Sequence, residues 1–492
     1  MGENVSRWIT PFTKQCWVCG GVGLNMLQMG LIFGISSTLL PQLRESGSPI
    51  PIDEEDGSWI AAVPGITLIG GNLIVPVLMG KFGRKIANIA SIVILGVGWC
   101  CILLASNVTT LLIARSLHGV GMGMISTLGP VVVGEYTTPA NRGAFLMSLA
   151  VSIAVGVLAV HAMGSYLTWK TVSIICACLN AVTLLIVLCS PESPSWLASQ
   201  GRYDKCKTIF RWLRGDNEEK ELDELINANM KARKFLEEQS SLKSSQPNFM
   251  VKLKQEYQNF KDIVKNREFF LPIIIMFHVS GLGQWSGINF FCSYGMDFID
   301  LVIGKGVDAA LILISLDFQR AVSTTIGLAI VKKIKRKTLM NLSIGLNLLA
   351  MMTTAAYVYF KTHNLLPFDS IYIGIALLHI QMFPIAIGGM PLLVILSGEL
   401  FPLRFKSLAG GISAVLYSLT IFVSIKTVPF LLNNLQLTGM FLVYAALSLY
   451  CLGMANVFLP ETKDKTLQAI EEEFKGVKKP VQPMDVFTTK PV

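Results

Sequence analysis

The chain reads as an all-α polytopic membrane protein of twelve transmembrane helices in two pseudo-symmetric six-helix halves, and three observations predict it. Of its 492 residues, 52% are hydrophobic and 15% charged, with a mean hydropathy of +0.56, which leaves too little polar surface to wrap a soluble protein of that length. Apolar stretches of helix-spanning length recur twelve times. A helix of ~20 apolar residues is what a bilayer span requires, because every backbone N–H and C=O must be satisfied within the segment. Finally, the near-matching phrases Pro191-Glu192-Ser193-Pro194 and Pro460-Glu461-Thr462-Lys463 close the sixth and twelfth stretches, so the chain divides into related halves.

Residues 1–15 are polar and form an N-terminal arm. Met1-Gly2 with Ser6 fits the bare myristoylation pattern, but Glu3 beside the glycine makes chance the better reading. The first apolar run, Cys16–Leu40, is long enough to stay as a span, so no cleavable signal peptide is expected. Ser58–Met79, Ile86–Ala105, Thr110–Val133, Gly143–Leu167 and Val172–Ser190 complete an N-terminal bundle over 16–190. The connection 191–268 is charged and mixed in sign. Apolar residues recur at helical spacing in Asp204–Trp212 and Glu218–Leu236, predicting short amphipathic helices under the membrane, and Ser240–Pro247 reads as a linker. Phe269–Phe291, Val307–Ile330, Leu339–Phe360, Ile371–Leu396, Leu408–Leu431 and Met440–Phe458 make the second bundle, 269–459. The tail, 460–492, is Pro- and Lys-rich beyond Phe474 and reads as disordered there.

Short loops set the orientation. One alternating set of them, with the N-terminal arm, carries 13 Lys/Arg and the other 4. Both termini are therefore expected in the cytoplasm, with Asp53-Glu54-Glu55-Asp56 outside. The net charge of +9 is accounted for by this asymmetry; no basic stripe interleaved with aromatics points to nucleic acid. The ten cysteines sit mostly in apolar runs and read as packing residues, as do Met122, Met124, Met147 and Met163. His118, His278 and His379 match no metal template and read as hydrogen-bonded core residues. No nucleophile–base or metal constellation suggests an enzyme, and no cofactor is expected. Asn107-Val108-Thr109 is a sequon in a loop too short to favour glycosylation.

The two halves also match in their charges. Glu135 precedes Arg142 by seven residues and Glu399 precedes Lys406 by the same seven, while Gly83-Arg84-Lys85 and Lys335-Arg336-Lys337 close the second helix of each half. Acids and bases at these helix ends can pair when the inner side closes and part when it opens. Two related bundles around a midplane site are the physical form of a rocking transporter.

Several phrases then resemble the sugar porter family of the major facilitator superfamily along essentially the full length. Arg115-Ser116-Leu117 with Gly119, Gly121 and Gly123 resembles its fourth helix, continued by Pro130, Glu135, Arg142 and Gly143. Pro191–Leu197 is similar to its mid-chain signature, with Ser195 where the family has arginine. Gln284-Trp285-Ser286-Gly287-Ile288-Asn289 is similar to its seventh-helix substrate motif, and Pro460-Glu461-Thr462-Lys463 with Thr466-Leu467 to its last-helix end. Gly34–Pro41 and Gly164–Trp169 more weakly resemble the insect trehalose transporter branch. The resemblance implies alternating access, with Gln284, Ser286 and Asn289 at the sugar, Tyr294 closing the outer gate, and Arg84, Glu135, Arg142, Glu192, Glu399, Arg404 and Lys406 at the inner gate.

Against that pattern the sequence departs in its pocket. Gly283 stands for the first glutamine, His161 for a helix-5 glutamine, Arg320 for a helix-8 amide, Val394 for the helix-10 tryptophan and Tyr417-Ser418 for an Asn-Trp pair. In the inner latch, Gly80 and Lys332 replace acids and Lys335 a glycine. Asp317 and Arg320 are three residues apart on one helix and share a face. That face must meet protein or water. The pair reads either as an internal tie or, with His161, as part of the site for a polar substrate. Gln28 in helix 1 offers no carboxylate, so facilitated diffusion of a hexose or trehalose through the plasma membrane is expected. Two alternatives stand beside it: a proton-coupled or anionic-solute carrier using Asp317, Arg320 and His161, and a non-transporting sensor.

Overall fold

Each apolar stretch forms a helix, and the first, second and fourth overrun their hydrophobic limits at both ends, where polar residues supply caps. In the computed structural model, residues 10–475 are described, apart from 216–217, 243–257, 259–260, 262, 305, 332, 367–369, 403, 464 and 466. The Met1-Gly2 pattern, Lys332, Thr466, most of the expected linker and the tail beyond 475 therefore lie outside the described residues.

The first bundle consists of α1 (Pro11–Arg44), α2 (Glu54–Phe82), α3 (Arg84–Leu103), α4 (Val108–Tyr136), α5 (Pro139–Tyr166) and α6 (Trp169–Leu188). Thr10, Asp53, Asn107 and Thr168 cap α1, α2, α4 and α6 through side-chain oxygens that accept a first-turn N–H. Acids in the first turn of α2 complement its dipole. α1 and α5 cross at Gly30 and Gly156, where a methyl on Gly30 would lie 2.1 Å from the Ile153 carbonyl. Small residues let these backbones touch, as helix association in lipid demands.

Three helices follow, α7 (Pro194–Ser199), α8 (Tyr203–Arg214) and α9 (Glu219–Leu242). Their apolar faces meet in a small core of Trp196, Leu197, Cys206, Phe210, Leu222 and Ile226. α9 runs on to Leu242, through the start of the segment expected as linker.

The second bundle repeats the first with three interruptions. Its opening span is broken into α10 (Arg267–Trp285) and α11 (Ile288–Ile303), so it extends twelve residues past the expected Phe291. α12 (Ala309–Val331) and α13 (Arg336–Thr362) are continuous. α14 runs Ile371–Pro384, widens into a π-turn at Ile385–Gly389 and resumes over Met390–Glu399. Lys406–Phe458 is helical throughout except at Gln436 (φ 58°, ψ −179°), which divides it into α15 (406–435) and α16 (437–458). α17 (Leu467–Lys475) seats Ile470 and Phe474 in the second bundle's core. Counting the division at Gln436, the described residues form twelve helices long and apolar enough to span.

Among the described residues the bundles meet chiefly through α2 with α15, α5 with α12 and α1 with α11. We call the end carrying Asp53–Asp56 the acidic face and the opposite end the basic face. At the acidic face the halves are closed on one another. Arg44 pairs with Asp297 at 3.0 Å, Asn433 donates to Glu54 at 2.6 Å, and Lys426 lies 4.2 Å from the Trp59 ring centre. Gly65 of α2 presses on the α15 backbone so closely that a methyl would fall 2.9 Å from Phe422 N. By contrast, at the basic face the Arg84–Glu135 and Arg336–Glu399 pairs each join residues of one half.

Candidate functional site

The break in the seventh span is dictated by Gly287. Its φ of 103° lies in the left-handed region, and a side chain there would meet Phe290 and the Gln381 amide at 2.9 Å. The break brings Gln284, the last turn of α10, against Asn289, the first turn of α11, and Asn289 Nδ2 donates to Gln284 Oε1. Ser286 at the corner donates to the Gly283 carbonyl, and its own carbonyl accepts from Asn347 of α13. Tyr417 of α15 reaches the Gln284 side chain. Gln284, Ser286 and Asn289 are thus gathered in one buried group. Unwound backbone between two half-helices is tolerated at membrane depth only where protein or a cavity satisfies it.

A second group bridges the halves. His161 of α5 lies 2.5 Å from Asp317 of α12, and Asp317 lies 2.9 Å from Arg320 on the next turn. Arg320 Nη1 donates to the Cys292 sulfur of α11 at 2.8 Å. The approach of Nη2 to Asp317 is a close charge contact that misses hydrogen-bond alignment, so Nε and Nη2 have no aligned acceptor. All four side chains are buried. The expected helix-surface pair is therefore present, and its third member comes from the other half.

At the basic face a single network is built twice. Arg84 forks onto both oxygens of Glu135, which also accepts from Ser193. Arg336 bonds Glu399 at 2.9 Å, and Glu399 accepts from Thr462 at 2.5 Å. Glu192 caps α3 by accepting the Arg84 and Lys85 amides; Glu461 caps α13 through Arg336 and Lys337. Burial pushes the Glu461 carboxyl up, but the Lys463, Arg336 and Lys337 amides outweigh it and hold the group below the usual glutamate range. The halves differ in one detail. Gly83 at φ 100° opens α3, whereas Lys335 opens α13 in ordinary extended geometry.

Other candidates stand apart from these groups. The acids do not pair with the bases seven residues on: Glu135 and Glu399 take Arg84 and Arg336 instead, because those side chains project from the neighbouring helix start. Arg142 Nε has no partner among the described residues, and Arg404 lies over its neighbour Phe405. Lys406 is exposed at the start of α15. Val394 is 61% exposed, and its carbonyl accepts from the Ser397 hydroxyl on the next turn. Tyr294 is buried at a kink in α11, with its hydroxyl unpartnered, and lines a cavity of about 360 Å³ on the acidic face together with Arg44, Glu54 and Asp297. Gln28 braces α1 against α3 and α6, accepting from Trp99 and donating to the Cys176 carbonyl. His379 bonds Gln319 and Ser315, and His278 bonds the Ile274 carbonyl. The sequence reading met Arg115 only as part of a family motif and passed over Gln381. Arg115, 2% exposed, holds the Ile32 and Ile60 carbonyls and the Ser36 hydroxyl. Gln381, fully buried, has neither amide atom bonded among the described residues. A lone amide in an apolar helix was the available signal for Gln381.

A family model described as "Sugar (and other) transporter" matches residues 27–474. The chain is 24% identical over 478 residues to a facilitated trehalose transporter, Tret1, of Apis mellifera ligustica, covering 96% of this chain and 91% of that protein. It is also 24% identical to the mouse solute carrier family 2 facilitated glucose transporter member 8, covering 95% and 96%. Among solved structures it shares the fold of the xylose transporter XylE from E. coli in an inward open conformation, with a TM-score of 0.71, 18% identity and coverage of 94% and 100%.

Proposed function

The chain belongs to the sugar transporter family, and from that premise we propose that it carries a hexose or trehalose across the plasma membrane by facilitated diffusion. The observation that carries the reading is the broken seventh span, which sets Gln284 and Asn289 face to face at membrane depth. Amides bonded to one another and to the neighbouring Tyr417 can exchange those bonds for sugar hydroxyls at little cost, since donors and acceptors are conserved in number. The basic face, with both termini, is the cytoplasmic one. Rocking of the halves alternates the closed acidic face with a closed basic face, where Arg84, Glu135, Glu192, Arg142, Glu399, Arg404 and Lys406 then meet across the seam. Tyr294 closes the outer side. His161, Asp317, Arg320 and Val394 lie along the path. The chain acts without a cofactor, and its partners are the sugar and the lipid.

Uptake of labelled glucose, trehalose, fructose and polyols into transporter-null cells tests this. Saturable uptake of at least one sugar, lost in Asn289→Ala at normal surface expression, is expected. Surface expression with no uptake of any of them would refute the reading.

A further inference from the structure

The His161 cluster ties the halves together, and its bonding pattern calls for a proton. Nδ1 lies 2.5 Å from Asp317 Oδ2, while Nε2 lies 3.1 Å from the Gly34 carbonyl of α1 and 3.2 Å from the Cys292 carbonyl of α11. Every atom bonded to the ring is therefore an oxygen of acceptor type. A neutral imidazole has one N–H and one lone pair. Facing a carboxylate ion through Nδ1–H, it would point the Nε2 lone pair at two carbonyl oxygens. Two forms avoid that repulsion. One is an imidazolium against ionised Asp317; the other is a neutral ring, protonated at Nε2, accepting from a protonated Asp317. Both hold one proton more than a neutral ring and a carboxylate together.

We propose that His161 and Asp317 form a proton-binding site between the two halves, and that the bound proton holds the acidic face closed. The surroundings are few. α12 contributes Asp317 and Arg320, α11 the Cys292 thiol beside Arg320, and α1 the Gly34 carbonyl. On α5 itself the next titratable side chain is the exposed Tyr166. Opening the acidic face parts α5 from α12. If the proton stayed on His161, a buried imidazolium would be stranded without its carboxylate, a costly state. When instead the N–H bond breaks and water takes the proton, His161 is left neutral in one half. Asp317 then keeps Arg320 within the other half, and neither half carries an unpaired charge.

The sign follows from linkage. The closed acidic face binds the proton more tightly than the open one, so it is favoured at low pH and loses that advantage as pH rises. The inference rests on the alternating-access reading, yet its test needs no transported sugar. Spin labels carried by non-native amino acids at Thr109 and Leu365, exposed positions at the acidic ends of opposite halves, report the separation in the full chain in lipid nanodiscs. Between pH 5.5 and 8 the ratio of open to closed populations should rise by about tenfold. In His161→Gln, which supplies a hydrogen-bonding amide but cannot take up a proton in this range, the two distributions should coincide. Asp317→Asn should do the same and serves if the first variant fails to fold. Identical distributions at both pH values in the unmodified chain, or an unchanged pH response in His161→Gln, would overturn the proposal. A pH-dependent separation in a chain that takes up no sugar would overturn the transport reading alone.

Discussion

At the residue scale, Asp317 carries more of the structure than its helix neighbour does. It meets His161 across the seam and Arg320 along its own helix, so its removal strands the Arg320 charge and leaves His161 without its partner. Asp317→Asn should destabilise the protein by about 3–5 kcal/mol, as breaking buried pairs does, read as a lowered thermal midpoint of purified protein. Arg320→Gln should cost less, because Asp317 retains His161. The double variant should recover only part of the loss, since His161 still lacks its carboxylate; full recovery would mean that the two helix-12 charges form a closed pair. Glu135→Gln and Glu399→Gln should lower turnover more than surface expression, because each acid gathers an arginine and a hydroxyl from other elements. Wild-type rates in both would reduce them to anchors. Of this residue-level picture, the Asp317–Arg320 pair was legible, since three residues along a helix fix a shared face. His161 was grouped with them in one site, but its direct contact with Asp317 was not legible, because it lies 156 residues away in the other half.

At the element scale, the two helix starts Gly83 and Lys335 make a controlled comparison. A methyl on Gly83 would fall 2.2 Å from Glu192 Oε2 in a left-handed backbone, whereas Lys335 sits at φ −60°. Gly83→Ala should therefore destabilise the chain by at least ~1–2 kcal/mol, and Lys335→Ala should be near neutral; equal effects would refute the comparison. Gly287→Ala should be as damaging as Gly83→Ala and should also abolish uptake, since it straightens the corner that faces Gln284 toward Asn289. Glu461 sets a pH dependence. Its folded carboxyl lies below the ordinary glutamate range, so its capping of α13 is fully present above that ordinary range and is lost as pH falls through the lowered value. Hydrogen exchange at the Arg336 and Lys337 amides should accelerate beyond its intrinsic pH trend only in that acid window. Span positions could be read from hydropathy because lipid imposes length and composition. The break at Gly287 and the π-turn at Ile385–Gly389 were hidden, since neither alters hydropathy.

At the scale of the whole molecule, closure of the acidic face depends on backbone contact as much as on charge. Gly65→Val should wedge α2 from α15, shift the Thr109–Leu365 separation to longer distances and reduce uptake at unchanged surface expression. The exposed Arg44–Asp297 pair should matter far less, about 1 kcal/mol or below. Impermeant labelling of a cysteine at Glu55 from outside, and of one at Lys231 only after permeabilisation, checks the orientation; the reverse pattern would invert it. What the sequence by itself determined is the membrane class, the twelve spans, the twofold repeat and the family, because each is written in local composition or in short contiguous motifs. What only the tertiary structure decided is which charges meet: Arg84 with Glu135, Arg336 with Glu399, His161 with Asp317. The physical reason is that a helix fixes the neighbours of a residue three and four positions along its own axis. Its neighbours across a helix interface depend on how the backbones cross, at Gly30 against Gly156 and Gly65 against Phe422, and one linear pattern does not encode that crossing.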